Sequence, residues 1–372
     1  MVGEHRDEGL RRADHRRPRW PASAVLGYLL HRRPCRRAVA VAPANGLAPL
    51  DALTYLDFVN QEYLASYVGH GGAAVKLLAF EDEFAAKELA DGLARVGDGF
   101  QHAAVDAATT RTHMVDQVFA AVARQLDWVA LAGAVVHGAF DQCGFPPPDT
   151  GQPGADLSIA AVASYHGVDG AELYRSVRRS LEQTVLKDTG LSHEFRVAML
   201  RLCQERLGRG DVNAAERETV IGWLRGERIP AGELRKLALH AKVGRHNARS
   251  LLLSLTRWLR MAGQAGLVLR LDLTRLAEAR RPPAGLRDGY YYSKAAALDV
   301  YELLRQLIDG TDEFEGLFVA VLLPPELVND EARGLPAYTA LRLRVVDEIH
   351  DRRRVNPYAS LVRIGTRPVV VA

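Results

Sequence analysis

The sequence lacks the features that mark several large classes of protein. It has no run of about 18 apolar residues, the length that a membrane-spanning helix needs. Its arginine-rich start is not followed by the apolar stretch of a secretory signal. The three cysteines lie far apart and form no C-x-x-C pair. We therefore expect a cytoplasmic protein with no membrane segment and no disulfide framework.

Motifs of catalysis and metal binding are missing as well. The twelve histidines include no H-E-x-x-H motif and no cluster with cysteine at metal-ligand spacing, and no G-x-S-x-G turn occurs. The apolar share of 48% and the charged share of 25% are those of a globular protein. At 372 residues, the chain is long enough for two domains or for one large α/β domain with an insertion.

The net charge of +3 conceals two basic blocks. Residues 1–37 contain ten arginines and four acidic residues, which gives +6, and residues 225–260 contain nine basic and two acidic residues, which gives +7. The remaining chain then carries −10 (3 minus 13). Basic blocks on an acidic body favour an anionic partner, although a solvated face and a disordered tail explain them equally well.

Short apolar runs alternate with segments of helical periodicity. Because each run is almost wholly apolar, we expect parallel strands that helices cover on both faces. Helices are predicted at residues 50–67, 81–96, 112–131, 293–309 and 341–353. The predicted strands are 75–80, 101–107, 267–272, 317–323 and 360–364.

A proline-rich segment divides the chain. Residues 145–154 contain four prolines and read as a linker. We predict a basic, partly disordered segment at 1–49 and a first part of an α/β domain at 50–144. A helical insertion follows at 155–263, and the second part of the α/β domain lies at 264–372.

The turn after the first predicted strand is where a P-loop protein binds phosphate. Such a turn needs glycines, whose backbone N–H groups wrap the phosphates, and a Lys and a Ser or Thr at the helix start. Here residues 80–88 read Phe-Glu-Asp-Glu-Phe-Ala-Ala-Lys-Glu, with no glycine and three consecutive carboxylates. These charges repel a triphosphate. If the sheet is of the P-loop type, the turn predicts that its activity is lost.

Two residues are the candidates for a remaining nucleotide site. Lys87 is the one lysine near the start of the helix predicted at 81–96, although Glu83 and Glu88 also suit it for ordinary helix pairs. Asp272 ends an apolar strand as a Walker B aspartate does, and such an aspartate holds Mg²⁺. The acid that normally follows is replaced by Leu273, and an aspartate after a strand is also a common helix cap.

A basic helix is predicted over residues 242–262. Its apolar residues recur on one face, and its basic residues fall on the other. A stripe of this kind suits a nucleic-acid backbone, an acidic protein partner or plain solvation. The candidate contact residues are Lys242, Arg245, Arg249 and Arg260.

Five segments, taken together, carry a resemblance to a known family: 71–76, 110–119, 223–230, 266–276 and 334–342. In order and spacing they resemble the P-loop ATP-binding family of BREX phage-defence systems, the BrxC/BrxD-like proteins, a branch of the AAA+/Orc-like ATPases. The resemblance covers roughly residues 50–365. The family's glycine-rich loop falls on residues 80–88, and its acidic pair falls on Asp272 and Leu273. Its late Leu-Arg-x-Arg element falls on Arg342 and Arg344, whose role in the family is to face nucleotide or a neighbouring subunit.

The resemblance implies a P-loop NTPase-like α/β fold, ATP and Mg²⁺ as cofactors, and the subunits of a defence-type complex as partners. Because the departures fall on the nucleotide-binding motifs, we expect a degenerate ATPase-like subunit that acts as a scaffold or regulator. Two alternatives stay open. One is an ATP-binding protein with weak ATPase activity that uses Lys87 and Asp272, and the other is a DNA-binding module that uses residues 242–262.

Overall fold

A computed structural model describes residues 48–148, 157–281, 283, 285, 288–345 and 355–366 of the chain. All of them belong to one compact unit, Leu47–Ala372. The basic segment predicted at 1–49 lies outside the described residues except for its last two positions. Most of the linker predicted at 145–154 lies outside them as well.

A six-stranded sheet lies at the centre of this unit, and all of its strand pairs are parallel. The strand order is β1-β6-β2-β5-β4-β3. The predicted parallel α/β sheet is therefore confirmed, and all five predicted strands are present. In chain order the strands are β1 (Leu50–Asp51), β2 (Ala73–Phe80), β3 (Phe100–Asp106), β4 (Gly266–Asp272), β5 (Leu317–Leu323) and β6 (Leu361–Gly365).

The two central strands, β2 and β5, are buried along their whole length. Successive side chains of a strand point to opposite faces, so Leu77 and Leu78 enter two different apolar clusters. The same alternation places Phe318 and Val319 of β5 on opposite faces. Both faces of the sheet therefore need a covering layer, which is why these strands read as continuous apolar runs.

Helices cover the sheet on both faces. The first two helices pack on one face, and the apolar residues of the later helices join the cluster on the other. The helices are α1 (Ala52–Phe58, continued as a π-helix over Val59–Ala65), α2 (Glu83–Leu93), α3 (Val115–Ala123), α4 (Trp128–Gln142), α5 (Ile159–His166), α6 (Gly170–Leu181), α7 (His193–Arg206), α8 (Ala214–Leu224), α9 (Ala231–Lys236), α10 (Ala248–Met261), α11 (Lys294–Asp309), α12 (Pro325–Asn329) and α13 (Thr339–Val345).

Side-chain caps explain where the predicted helix boundaries were wrong. The helix predicted over 112–131 is divided between α3 and α4, because the Asp127 carboxylate accepts a hydrogen bond from the Ala130 backbone N–H at 2.9 Å and starts a new helix. The helix predicted at 81–96 begins later, after Asp82, which caps α2 in the same way. Of the helix predicted at 341–353, only the part up to Val345 lies within the described residues.

The segment before β6 is held by a buried lysine. Lys76 of β2 donates to the carbonyl oxygens of Tyr358 and Ala359 at 2.6 and 2.9 Å. Its ammonium group also lies 4.6 Å from the centroid of the Tyr63 ring. These contacts offset the cost of placing a charged group where only 4% of its surface is exposed.

The helices between β3 and β4 share the apolar cluster of the sheet. The last of them, α10, packs directly against β4 and α3. Among the described residues no single helix is long and apolar enough to cross a membrane. Helices α3 and α4 reach that length only as a pair, and the chain bends by 73° between them.

Gly266 allows β4 and β5 to start close together. Its φ is +152°, and a Cβ at this position would lie 2.0 Å from the carbonyl oxygen of Gly316. That oxygen accepts a hydrogen bond from the Leu267 backbone N–H at 2.7 Å. A side chain at this position must therefore push the first residues of the two strands apart.

We predict that Gly266→Ala lowers the free energy of unfolding by about 2–4 kcal/mol, because it combines backbone strain with a steric clash. Urea denaturation measures the change. Gly138→Ala is the matched control, since this helical glycine has open space around it and the change should be neutral or stabilising by roughly 0.5–1 kcal/mol. Equal midpoints for Gly266→Ala and the parent protein would contradict the prediction.

Candidate functional site

The connections that leave β2 and β5 diverge at the carboxyl edge of the sheet. After β2 the chain enters α2 on one face, and after β5 it enters α12 on the other, although the two strands are neighbours. In open α/β sheets, ligands bind in the crevice at such a reversal. The turn at residues 80–83 lies at this reversal, where a ligand of such a sheet would bind.

This turn is short, and its side chains form hydrogen bonds within the chain. Two residues, Glu81 and Asp82, separate the last residue of β2 from the first residue of α2. The Asp82 carboxylate accepts hydrogen bonds from the Ala85 backbone N–H at 2.8 Å and from the Thr366 hydroxyl at 3.2 Å. The Ala85 hydrogen bond is the main cause that holds the pKa of Asp82 below its usual value. A carboxylate of the chain thus lies at the anion-binding end of the helix.

Glu81 attaches the same turn to β6. Its backbone N–H donates to the Ile364 carbonyl oxygen at 2.8 Å, and its carboxylate forms an ion pair with Arg363. Together with the hydrogen bond from Thr366 to Asp82, these contacts connect both residues of the turn to β6 and the residue after it. Both carboxylates of the turn therefore have partners within the chain.

Lys87 does not lie at the helix start. It is the fifth residue of α2, which places its Cα about 6 Å beyond the first residue of the helix at a rise of about 1.5 Å per residue. Its side chain is exposed. The structure therefore separates Lys87 from the position that a phosphate-binding lysine takes at the beginning of a helix.

Asp272 ends β4, directly beside Asp106 of β3. Its carboxylate accepts hydrogen bonds from the backbone N–H and the hydroxyl of Thr274 at 3.0 and 2.7 Å, so it shapes the turn that follows. Leu273, at the position of the second acid, is fully buried. Among the described residues no three His, Cys, Asp or Glu side chains are close enough together to hold a metal ion. The role of Asp272 in binding Mg²⁺ stays a prediction.

The two late arginines lie on α13 in different settings. Arg344 forms an ion pair with Asp309 at the end of α11 and donates to the Ala340 carbonyl oxygen at 2.7 Å. The Arg342 side chain is exposed and forms no ion pair with any described residue, while its backbone N–H donates to the Tyr338 carbonyl oxygen at 3.1 Å. Arg344 therefore stabilises the contact between two helices, and the role of Arg342 at a nucleotide or a neighbouring subunit stays a prediction.

The predicted basic helix begins later than expected. Helix α10 starts at Ala248, because the preceding loop folds around Asn247, whose side chain accepts from the Gly244 backbone N–H at 2.9 Å and donates to the Lys242 carbonyl oxygen at 3.0 Å. Lys242 and Arg245 thus lie in a loop rather than on a helical stripe. The apolar face of α10 is buried as its spacing predicts: Ala248, Leu251, Leu252, Leu255, Trp258 and Leu259.

The four basic candidates divide into two pairs. Arg249 donates to both carboxylate oxygens of Glu313 at 2.8 and 3.0 Å, and Arg260 donates to the carbonyl oxygens of Gly69 and Ala265 at 2.6 and 2.9 Å. Lys242 and Arg245 are exposed and form no ion pair with any described residue. The structure therefore uses one pair internally and leaves the other pair open to solvent.

A second site, which the sequence analysis missed, lies beyond the carboxyl ends of β3 and β4. It is a cavity of about 540 Å³. Its wall combines basic and aromatic residues, and we call it the Arg111–Tyr290 pocket after a cation–π pair in that wall. The run of tyrosines at 290–292 was the available signal. The residues with charged or aromatic side chains in its wall are Arg111, His113, Arg275, Arg281, Tyr290, Tyr291 and Tyr292.

Comparison with known proteins identifies one family. Residues 158–366, more than half of the chain, match the model of the family described as BREX system ATP-binding protein BrxC/D. Strand β2, the turn at residues 80–83 and β3 all precede the matched residues. No match was found among curated proteins or among solved structures.

The packing of α11 against the residue before α13 includes a carboxylate that should make stability depend on pH. Glu302 accepts a hydrogen bond from the Tyr338 hydroxyl at 2.5 Å and forms an ion pair with Arg305 at 2.6 Å. Arg305, followed by Tyr338, lowers the pKa of Glu302 to about 2. Because the pKa is lower in the folded state, this stabilisation is complete above the ordinary pKa of about 4.3 and is lost as the pH falls toward 2.

We predict that Glu302→Gln makes the free energy of unfolding less sensitive to pH between about 4.5 and 2, since the carboxylate that gains a proton in this window is gone. Urea unfolding at a series of pH values tests this. Glu218→Gln is the control, because the Glu218 side chain is 62% exposed. An equal dependence on pH in Glu302→Gln and the parent protein would refute the assignment.

Proposed function

The chain belongs to the family of BREX system ATP-binding proteins BrxC/D, and from this premise we propose that it is a member that no longer hydrolyses ATP. In this proposal it acts as a scaffold or regulatory subunit of a BREX-type assembly. We also assign its sheet to the AAA+/Orc-like branch, with the helices between β3 and β4 as an insertion. Support for this assignment comes from the central place of β2, which leads directly into α2, and from Asp272 at the end of β4.

The observation that carries the proposal is the position of the Asp82 carboxylate. A helix N-terminus attracts an anion because its first backbone N–H groups have no partner within the helix. In α2 this demand is already met by Asp82, which bonds to Ala85. A triphosphate at this position would have to displace a bonded carboxylate and then lie beside the negative charges of Asp82 and Glu81.

The residues around this turn do not fit ATP and Mg²⁺ in two further respects. Two residues between strand and helix are too few to wrap a phosphate chain with backbone N–H groups, and neither is glycine. Leu273 is buried in the core at the position where an acid would orient the attacking water. We therefore derive no reaction step through ATP.

We predict that the purified protein hydrolyses ATP in the presence of Mg²⁺ no faster than buffer does. Release of inorganic phosphate is the measurement. We choose hydrolysis rather than binding as the readout. A nucleotide that binds elsewhere on the protein would register in a binding assay but would not release phosphate. Lys87→Ala and Asp272→Asn are the matched variants, and both should behave like the parent protein.

Two other results of the hydrolysis assay have distinct meanings. Turnover of ATP that disappears in both Lys87→Ala and Asp272→Asn would show a working site and would favour the alternative of a weak ATPase. Turnover that persists unchanged in both variants would point to a contaminating enzyme, and repeated purification to constant specific activity would remove it.

A second function, binding of nucleic acid, is favoured by the open pair of basic residues. We infer that Lys242 and Arg245 contact phosphates, because both are exposed and neither has an internal ion pair among the described residues. In this proposal Arg249 and Arg260 take no part, since their guanidinium groups bond to Glu313 and to backbone carbonyl groups.

We predict that two phosphate contacts make the affinity for duplex DNA fall about 12-fold between 50 and 200 mM salt, from a slope of about −0.9 per contact. Replacement of Lys242 and Arg245 by Gln should remove this dependence, as measured by fluorescence anisotropy. Arg95→Gln is the control, since Arg95 is exposed and lies at the amino edge of the sheet. Unchanged salt dependence in the double variant would exclude this loop as the contact.

A further inference from the structure

We propose that the Arg111–Tyr290 pocket binds a nucleobase that carries a phosphate, either as a free nucleotide or as one unit of a single strand. The pocket is separate from the turn after β2, and the proposal does not depend on the loss of ATP hydrolysis. Its volume of about 540 Å³ lies within the range of small-molecule sites.

The first argument is an aromatic surface with a cation beside it. The Tyr290 ring is 38% exposed, and the Arg111 guanidinium group lies 5.0 Å from its centroid. A flat base stacks well on such a surface, because every base has a π-face and arginine adds a cation–π contribution. Stacking of this kind tolerates any base, so the pocket selects a class of ligand rather than one sequence.

The second argument is the uncompensated positive charge. None of the described residues that line the pocket is acidic. The charge of Arg275 is balanced by Glu278 at 2.5 Å, whereas Arg111 and Arg281 are exposed and form no ion pair with a described residue. Two free guanidinium groups beside a stacking surface suit a phosphate attached to a base, since arginine binds phosphate oxygens with two parallel hydrogen bonds.

The third argument is a buried polar atom that has no partner. Nδ1 of His113 is buried and makes no hydrogen bond, although nearly all buried polar atoms in proteins have a partner. Burial is the main cause of the lowered pKa of His113. Arg245 and Arg111 lower it further, while Asp299 and Asp116 oppose them. Each of these contributions that lowers the pKa favours the neutral imidazole, and His113 is one of the residues that line the pocket.

The walls are held in place before any ligand arrives. The Tyr290 backbone N–H donates to the Ala108 carbonyl oxygen at 2.8 Å, and the hydroxyl of Tyr292 accepts from the Thr112 backbone N–H at 3.0 Å. At Gly289, where φ is +78°, a Cβ would lie 2.4 Å from the same Ala108 oxygen. Hydrogen bonds thus join the segment after β3 to the segment after β4, and a ligand does not have to bring them together.

Two probes test the proposal: a fluorescein-labelled single-stranded oligo(dT) of eight nucleotides, followed by anisotropy, and thymidine 5′-monophosphate, followed by calorimetry. Both are used with EDTA, which removes any binding that requires Mg²⁺. Tyr290→Leu and Arg111→Gln should each weaken binding roughly tenfold, within the range of about 5- to 150-fold that loss of a stacked base produces. Tyr290→Phe keeps the ring and should bind like the parent protein.

The controls separate the pocket from the rest of the surface. Arg95→Gln removes the same charge at the amino edge of the sheet and should leave binding unchanged. Much tighter binding of the oligonucleotide than of the mononucleotide assigns the pocket to single strands, and similar affinities assign it to free nucleotides.

Two results would overturn the proposal. One is no binding of either probe up to about 1 mM, where the binding free energy falls to about −4 kcal/mol. The other is binding that neither Tyr290→Leu nor Arg111→Gln weakens. Circular dichroism and the unfolding midpoint of each variant show whether the fold is intact, and Arg111→Gln keeps the test decisive if Tyr290→Leu does not fold.

Discussion

The burial of β2 and β5 on both faces is the constraint on which the rest of this structure depends. Two neighbouring strands with no exposed residue require an apolar layer above and below them, so the helices must be shared between the two faces of the sheet. The chain meets this requirement by leaving β2 toward one face and β5 toward the other. The crevice at the carboxyl edge is a geometric result of that division. The division itself does not depend on a ligand, because burial of apolar surface stabilises the sheet.

The negative charge at the start of α2 comes from the two carboxylates of the turn, Glu81 and Asp82. In this protein the chain supplies its own anion, Asp82, and pairs the neighbouring Glu81 with Arg363. A helix N-terminus that bonds a side chain of its own protein gains the stability of an ordinary cap. The charges of this turn are matched by β6 and the residue after it, because Glu81 pairs with Arg363 and Asp82 accepts a hydrogen bond from Thr366.

The sequence predicted the sheet well because long apolar runs report burial directly, and β2, β4 and β5 were each recognised with errors of at most two residues at their ends. It did not predict β1, because two residues carry no periodicity. The sequence also could not predict the partners of Arg249 and Arg260, since Glu313 and Gly69 are distant in sequence and meet them only in the fold. The Arg111–Tyr290 pocket was missed for the same reason: its two sides follow different strands and meet only in the fold, so the tyrosines at 290–292 were not connected with Arg111.

Strand β6 is attached to β2 at both of its ends. Lys76 holds the carbonyl groups just before it, and the partners of Glu81 and Asp82 lie at its end and just after it. Only the two-residue strand β1 lies outside it in the sheet. Loss of β6 from this edge would therefore remove the partners of both carboxylates of the turn, Arg363 from Glu81 and Thr366 from Asp82. The same event would leave the Lys76 ammonium group without its two carbonyl acceptors.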